Sequence, residues 1–239
     1  MINFENKKIL AFDIEVVAYD FETHYDEETK AYLLKYADTD AEKESAIQNL
    51  VFTPFTSFVV AIGVLDINKN KGCVYFNRDK DVNDLIISDN KDIIYVCDDE
   101  KSILNRFWNF LKSGGYDYIV TFNGRDFDCP YLILRSGLLG IKPSVNIMRS
   151  NDFNFNSYHI DLIKELTFYR HSAGAKRKFS LDFYCKQFGI KSPKSEGVSG
   201  DKVGELYKNK EYQKIADYCI GDVIAEAELF KKWNETLNI

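Results

Sequence analysis

The chain has 239 residues, of which 45% are hydrophobic and 15% aromatic. This composition is sufficient for a buried core and excludes a disordered or collagen-like protein. The net charge of −6 argues by itself against a nucleic-acid partner, because proteins that bind phosphates are usually basic. The acidic excess lies in the first hundred residues, however, and the remainder of the chain is net basic.

Neither the apolar runs nor the N-terminus indicates export or a membrane. No apolar run reaches the ~18–20 residues that a membrane-spanning helix requires, and the polar N-terminal residues are unlike a signal peptide. The five cysteines form no Cys-x-x-Cys pair, which disfavours a disulfide framework or a zinc site. We therefore expect a soluble, cytoplasmic protein with reduced thiols and no membrane association.

The N-terminal half predicts three strands. The first covers residues 8–17, an apolar run that is interrupted by two acids. Residues 18–50 are polar and acidic, with a helix-prone stretch at 40–47, and we interpret them as an insertion. Strands at 57–65 and 72–76 follow, and the short polar turn between them predicts a hairpin.

The C-terminal half predicts alternating helices and strands. Apolar residues repeat at helical spacing from Glu100 to Lys112, and Gly114 and Gly115 end that helix. The further elements are strands at 116–122 and 158–162 and helices at 127–135, 180–188, 201–208 and 211–234. This order predicts one α/β domain over residues 1–239, with a mixed sheet of about five to six strands flanked by helices.

Two acids lie on the first predicted strand. Asp13 and Glu15 are two residues apart, so their side chains point to the same face. Two neighbouring carboxylates are costly to bury because they repel each other and lose hydration, and a divalent cation removes both penalties. The pair is a candidate metal site, and an acidic strand end in solvent is the alternative for the pair alone.

Two further motifs place acids at functional positions. Asp128 follows an Asn-Gly turn where a predicted strand gives way to a helix, which is where open α/β sheets bind ligands. Tyr218 and Asp222 are four residues apart in the last predicted helix and share one face. Each has a simpler alternative: Asp is common at helix starts, and the tyrosine can lie at the margin of the core beside a solvated acid.

The three motifs together are far more specific than any one of them. They occur in the order Asp-x-Glu, Asn-x3-Phe-Asp and Tyr-x3-Asp, and here the sequence resembles the DEDD superfamily of 3′→5′ exonucleases. The tyrosine-bearing branch is indicated, because the other branch would have His at the position of Asp217. The segments 12–15, 121–124 and 218–223 are similar to stand-alone exonucleases related to the proofreading domain of family B DNA polymerases.

The resemblance implies an RNase H-like fold and two-metal hydrolysis. Asp13, Glu15, Asp128 and Asp222 would hold two divalent cations, Mg²⁺ or Mn²⁺, with Asp13 bridging both. Glu15 and Asp222 would complete the metal that activates the attacking water, and Asp128 would support the metal at the leaving 3′ oxygen. Tyr218 would orient the water by a hydrogen bond, because an ordinary tyrosine pKa of about 10 makes it a poor base.

Residues around these motifs are candidates for substrate binding. We expect Asn123 to contact the terminal nucleotide, Phe122 and Phe127 to line the site or stack on a base, and Lys176 and Arg177 to bind phosphates. The alternatives are turn geometry for the asparagine, core packing for the phenylalanines and a solvated loop for the basic pair.

The implied partner is nucleic acid, with single-stranded DNA preferred and RNA possible, and no motif identifies a polymerase or replication partner. The alternatives are an exoribonuclease similar to RNase D, a non-catalytic nucleic-acid-binding module on the same fold, and an integrase-like nuclease. Asp161 either supports the site or forms a structural hydrogen bond. We expect the net-basic span 164–214 to line the substrate groove, and the acidic insertion to face away from it.

Overall fold

The computed structural model describes residues 2–78, 92–149, 158–170, 179–191 and 199–239. The strands are β1 (Ile9–Ala18), β2 (Ser57–Asp66), β3 (Lys71–Asn77), β4 (Ile93–Asp98), β5 (Tyr118–Thr121) and β6 (His159–Asp161). The helices in these ranges are α1 (Phe21–His24), α2 (Glu27–Leu33), α3 (Asp40–Asn49), α4 (Glu100–Gly114), α5 (Asp128–Leu138), α6 (Leu162–Leu166), α7 (Leu181–Gln187), α8 (Val203–Lys208) and α9 (Tyr212–Thr236).

The described strands form one mixed sheet in the order β4-β3-β2-β1-β5-β6. β1 and β2 pair antiparallel, as do β2 and β3, whereas β4, β5 and β6 pair parallel to their inner neighbours. The predicted hairpin and the predicted mixed sheet flanked by helices are therefore confirmed.

The central strand β1 is paired unequally on its two sides. β2 follows it from Leu10 to Ala18, with a register shift between Glu15 and Val16. β5 pairs with it only from Ile9 to Ala11. Beyond Ala11, no described strand pairs with the β5 side of β1, so side chains from other elements can reach its backbone there.

Side chains of β1 alternate between two hydrophobic cores. Leu10 and Phe12 pack with residues of α4 and α5 on one face of the sheet, and Ile9 and Ala11 pack with α9 on the other face. Because alternation places residues i and i+2 together, Asp13 falls on the face covered by α9. A fully buried large apolar side chain contributes about 1.5–3 kcal/mol to stability, so both helix layers are held firmly against the sheet.

Several elements differ from the prediction. β4 and α6 are not among the predicted elements. The helix predicted at 40–47 is present as α3, and the segment 18–50 contains α1 and α2 in addition. Side chains of Asp20, Asp26 and Thr39 cap these three helices at their N-termini. Such capping satisfies backbone N–H groups that have no partner inside the helix, which explains how a polar segment forms short helices. Among the described residues, no helix has the length and apolarity needed to cross a membrane.

Candidate active site

Three carboxylates converge between β1 and α9. Ligand oxygens of Asp13, Glu15 and Asp222 all lie within 4.8 Å of one another. Glu15 is buried and the other two are partly buried. Carboxylate oxygens are the ligands that Mg²⁺ and Mn²⁺ prefer, so the donor set fits a hard divalent cation.

A glycine on β2 allows α9 to approach the sheet at this point. Gly63 is the register partner of Asp13, and a Cβ atom at Gly63 would lie 2.9 Å from Cγ2 of Val223 and 3.1 Å from Sγ of Cys219. The Cys219 thiol donates to the carbonyl oxygen of Asp13 at 3.6 Å. The close contact of helix and bare backbone brings Asp222, one residue before Val223, to the acids of β1.

Asp128 lies beside this group of three carboxylates and is not a member of it. It is the first residue of α5 and is 3% exposed. Its Oδ1 accepts a hydrogen bond of 3.2 Å from the N–H of Ile14, on the stretch of β1 that β5 does not pair. Among the charges that raise the pKa of Asp13 after burial, that of Asp128 is the largest.

Asp161 shapes the loop between β5 and α5. Its Oδ1 accepts hydrogen bonds from the N–H groups of Asn123 at 2.9 Å and Ile163 at 3.1 Å, and its Oδ2 accepts one from Arg125 at 3.0 Å. Asn123 has a φ of 70°, a left-handed conformation that Asn tolerates better than most residues. Asp161 therefore holds the loop that leads to Asp128 through structural hydrogen bonds.

The site concentrates negative charge in a buried place. Burial is the main cause that raises the pKa of Asp13 and of Glu15, followed by Asp128 for the former and Asp222 for the latter. Burial also raises the pKa of Asp128 to about 7. Ionising all of these groups at neutral pH is unfavourable without a nearby positive charge. A bound divalent cation would supply that charge.

Tyr218 faces the same carboxylates from α9. Its hydroxyl is hydrogen-bonded to Asp222, and burial followed by the charge of Asp222 holds its pKa well above the ordinary value. The hydroxyl is therefore protonated at neutral pH and acts as a hydrogen-bond donor. The raised pKa disfavours a role as a general base.

The predicted substrate-binding aromatics have different surroundings. Phe122 packs edge-on against Tyr184 at a centroid distance of 5.8 Å. Phe127 contacts Tyr131 at 5.5 Å and Phe52 at 6.1 Å. Phe52 is 64% exposed. The segment that precedes β2 therefore presents an exposed aromatic ring beside Phe127, which is the residue before Asp128. The predicted phosphate-binding residues Lys176 and Arg177 lie outside the described residues.

A fifth acid that the motifs do not include lies on the same helix. Glu226 is 1% exposed and follows Asp222 by one helical turn, as Asp222 follows Tyr218. Residues four apart in a helix share a face. This repeat of polar residues on the otherwise apolar buried face of the helix is the sequence pattern that could have identified Glu226.

The sequence is similar to parts of known DNA polymerases. It is 25% identical to a DNA polymerase of Thermococcus litoralis over 159 residues. This aligned region covers 60% of this chain and 9% of the polymerase. It is 24% identical to a DNA polymerase of Choristoneura fumiferana nuclear polyhedrosis virus over 200 residues. That aligned region covers 75% of this chain and 20% of the polymerase. An uncharacterized protein of Methanocaldococcus jannaschii is 28% identical over 149 residues, which is 59% of this chain and 78% of that protein.

A solved structure and a family model agree with these similarities. The family B DNA polymerase from the hyperthermophilic archaeon Pyrobaculum calidifontis aligns with a TM-score of 0.60 and 20% identity, over 95% of this chain and 24% of that chain. This likeness supports the fold. Residues 59–235 match the family model described as a predicted 3′–5′ exonuclease related to the exonuclease domain of PolB. Since that match covers more than half of the sequence, the chain belongs to this family of predicted exonucleases related to the PolB exonuclease domain.

Proposed function

We propose that this chain is a metal-dependent 3′→5′ exonuclease of the tyrosine-bearing DEDD type, which releases 5′-mononucleotides from single-stranded DNA or frayed 3′ ends. The observation that carries the proposal is the convergence of Asp13, Glu15 and Asp222 within 4.8 Å, beside the buried Asp128. Membership of the PolB-related family supports the reaction class.

The reaction is a hydrolysis in which a water oxygen bonds to phosphorus and the bond from phosphorus to the 3′ oxygen breaks. Asp13, Glu15, Asp128 and Asp222 would hold divalent cations, Mg²⁺ or Mn²⁺. When bound, these supply an activated water and stabilise charge on the leaving oxygen. Tyr218 keeps its proton, which it donates to Asp222, and its oxygen can accept a hydrogen bond from the attacking water and so orient it. The attacking water releases a proton to solvent as it bonds to phosphorus, and the leaving 3′ oxygen takes up a proton from solvent to give the shortened strand.

The surroundings of the carboxylates suit a terminal nucleotide. Phe127 and the exposed ring of Phe52 offer aromatic surface on which a base can stack. Asn123 and Phe122 lie on the loop that Asp161 holds next to Asp128, and we assign them to contact with the last nucleotide. A single strand can bring its 3′ end to this position without unwinding a duplex.

The proposal predicts exonuclease activity that depends on the carboxylates. With Mg²⁺ or Mn²⁺, a 5′-labelled single-stranded DNA should be shortened one nucleotide at a time, and faster than a fully paired duplex. Asp222→Asn should lower the rate at least about 100-fold, because transition-state stabilisation of several kcal/mol is lost with the metal. Asp217→Asn, on the same helix but exposed, is the matched control and should retain the rate.

A panel of substrates tests the alternatives in the same assay. Preference for RNA over DNA would favour the exoribonuclease alternative, and cleavage of circular single strands would contradict exonuclease action. An Asp222→Asn variant with unchanged activity would refute the metal assignment. Binding of oligonucleotides without cleavage, in either metal, would favour the non-catalytic alternative.

A further inference from the structure

The buried acid Glu226 has no role in the three motifs, yet it lies on the face of α9 that carries Tyr218 and Asp222. Only 1% of its surface is exposed. Burying a carboxylate is costly unless its oxygens are paired or bind a cation. The face of the helix that packs on the sheet is mainly apolar, so the presence of this buried acid needs a specific explanation.

The two oxygens of Glu226 differ in their surroundings. Oε1 accepts a hydrogen bond of 3.0 Å from the N–H of Phe122, the first residue after β5. Oε2 is buried and has no hydrogen-bond partner within the described part of the chain. The first contact fixes the orientation of the carboxylate group, because it ties one oxygen to rigid backbone. The burial of the second oxygen would be compensated by a hydrogen-bond donor or a cation.

The groups that act on Glu226 are the acids of the site. After burial, the charges of Asp128 and Asp222 are the largest causes that raise its pKa. Glu226 in turn raises the pKa of Asp13 more than Glu15 or Asp222 does. Glu226 is therefore near enough to Asp13 and Asp128 for their charges to interact. It is not a member of the group whose oxygens lie within 4.8 Å of one another.

We propose that Glu226 is a positioning residue for the divalent cation at Asp13 and Asp128, with Oε2 accepting a hydrogen bond from a water that this cation retains. The inference rests on the proposed function. Mg²⁺ characteristically keeps several waters in protein sites, and acceptors for such waters orient the metal and raise its affinity. The N–H of Phe122 keeps Oε1 in place, which leaves the buried Oε2 as the oxygen that can accept from such a water.

The competing explanation is that Glu226 only ties α9 to Phe122. The Glu226→Gln variant distinguishes the positioning role from the structural role. Its amide oxygen can still accept the hydrogen bond from Phe122, but the negative charge is lost. Its amide N–H groups can donate to the neighbouring acids. We expect the Mn²⁺ affinity, measured from the EPR signal of free Mn²⁺, to fall about 10–100-fold. In EDTA, the melting temperature should stay equal or rise, since one of several mutually repelling buried charges is removed.

Two further variants complete the test. Glu226→Asp keeps the charge but withdraws it by one methylene, and its Mn²⁺ affinity should also fall, which guards against a misfolded glutamine variant. Glu228→Gln changes an exposed acid on the same helix that pairs with Lys231, and it should leave Mn²⁺ affinity unchanged. Unchanged Mn²⁺ affinity in both Glu226 variants would overturn the inference.

Asp222→Asn distinguishes failure of the inference from failure of the proposed function. If Asp222→Asn weakens Mn²⁺ binding and neither Glu226 variant does, the metal site stands and Glu226 is a structural residue. If none of these variants changes Mn²⁺ binding, both proposals are wrong. Weakened binding in Asp222→Asn and in both Glu226 variants supports both.

Discussion

Asp161 shows how one side chain can set the geometry of a site that it does not enter. Its two oxygens accept three backbone N–H groups, two from the loop after β5 and one from the start of α6. Those bonds fix the path of the chain between Asn123 and Asp128. The acid is 1% exposed, so water cannot replace the bonds if the side chain is changed.

Asp161→Asn should therefore lower both stability and metal affinity. An amide has one acceptor oxygen instead of two, so at least one buried N–H loses its partner, at a cost of about 1–3 kcal/mol in the free energy of unfolding. Urea denaturation measures this loss, and a Mn²⁺ titration of the folded protein measures the effect on Asp128. A stability loss without any change in Mn²⁺ affinity would mean that the loop does not position Asp128.

Local patterns in the sequence single out only part of the candidate site. Asp13, Glu15 and Asp222 were singled out by spacing on a strand or helix, and the structure brings them together. The hydrogen bonds of Asp161 and Glu226 join segments that are 38 and 104 residues apart. No local spacing reports such contacts, which arise only when β5, β6 and α9 are packed.

The packing of α9 on β2 decides whether the motifs of β1 and α9 can meet. The contact depends on the missing side chain of Gly63, where a Cβ atom would be 2.9 Å from Cγ2 of Val223. Valine is stiff because it is branched at Cβ, so it cannot move aside easily. Any larger residue at Gly63 must displace the helix or the strand.

Gly63→Ala should thus destabilise the protein by about 1–3 kcal/mol, as overpacked cores do, and should weaken Mn²⁺ binding by moving Asp222 from the acids of β1. Adding Val223→Ala removes the closest clash and should recover part of both losses. Thermal melts and Mn²⁺ titrations of the single and double variants provide the measurement. If the double variant recovers stability but not Mn²⁺ affinity, the helix position is not set at this glycine.

The elements that were missed are those with weak local patterns. α6 has five residues, too few for an apolar periodicity to be recognised. β4 is an edge strand that pairs only with β3 among the described strands, and its assignment depends on that pairing. By contrast, the apolar residues of α4 repeat over several turns and predict the helix, and the predicted apolar face is buried.

At the scale of the whole molecule, the acidic site makes stability depend on pH and on cations. Burial and mutual repulsion raise the pKa of Asp13, Glu15 and Glu226, and burial raises that of Asp128 to about 7. A raised pKa means that the folded state binds protons more tightly than the unfolded chain. The resulting stability is present below the ordinary carboxyl pKa of about 4 and is lost as pH rises through the folded-state values.

A bound cation replaces the lost protons, so the stabilisation by Mn²⁺ should grow with pH. We expect the difference in melting temperature between Mn²⁺ and EDTA to be small at pH 5 and several degrees larger at pH 8. Burial lowers the pKa of His159 to about 3, so this residue makes stability rise with pH in the acid range. That contribution is the same with Mn²⁺ and with EDTA. A difference that stays constant over this range would contradict the assignment of these acids to a cation site.

The alternation of β1 has a consequence for how the chain can vary in length. Adding or deleting one residue between Ile9 and Asp13 would exchange the two faces, turning the acids toward α4 and the apolar side chains toward α9. An odd change in the number of residues exchanges the acidic and the apolar face of the strand. Single insertions and deletions there are therefore more damaging than most substitutions. This restriction ends after Ala18, because residues added beyond the strand do not change which side of the sheet its side chains face. The long polar segment between β1 and β2 lies at such a position.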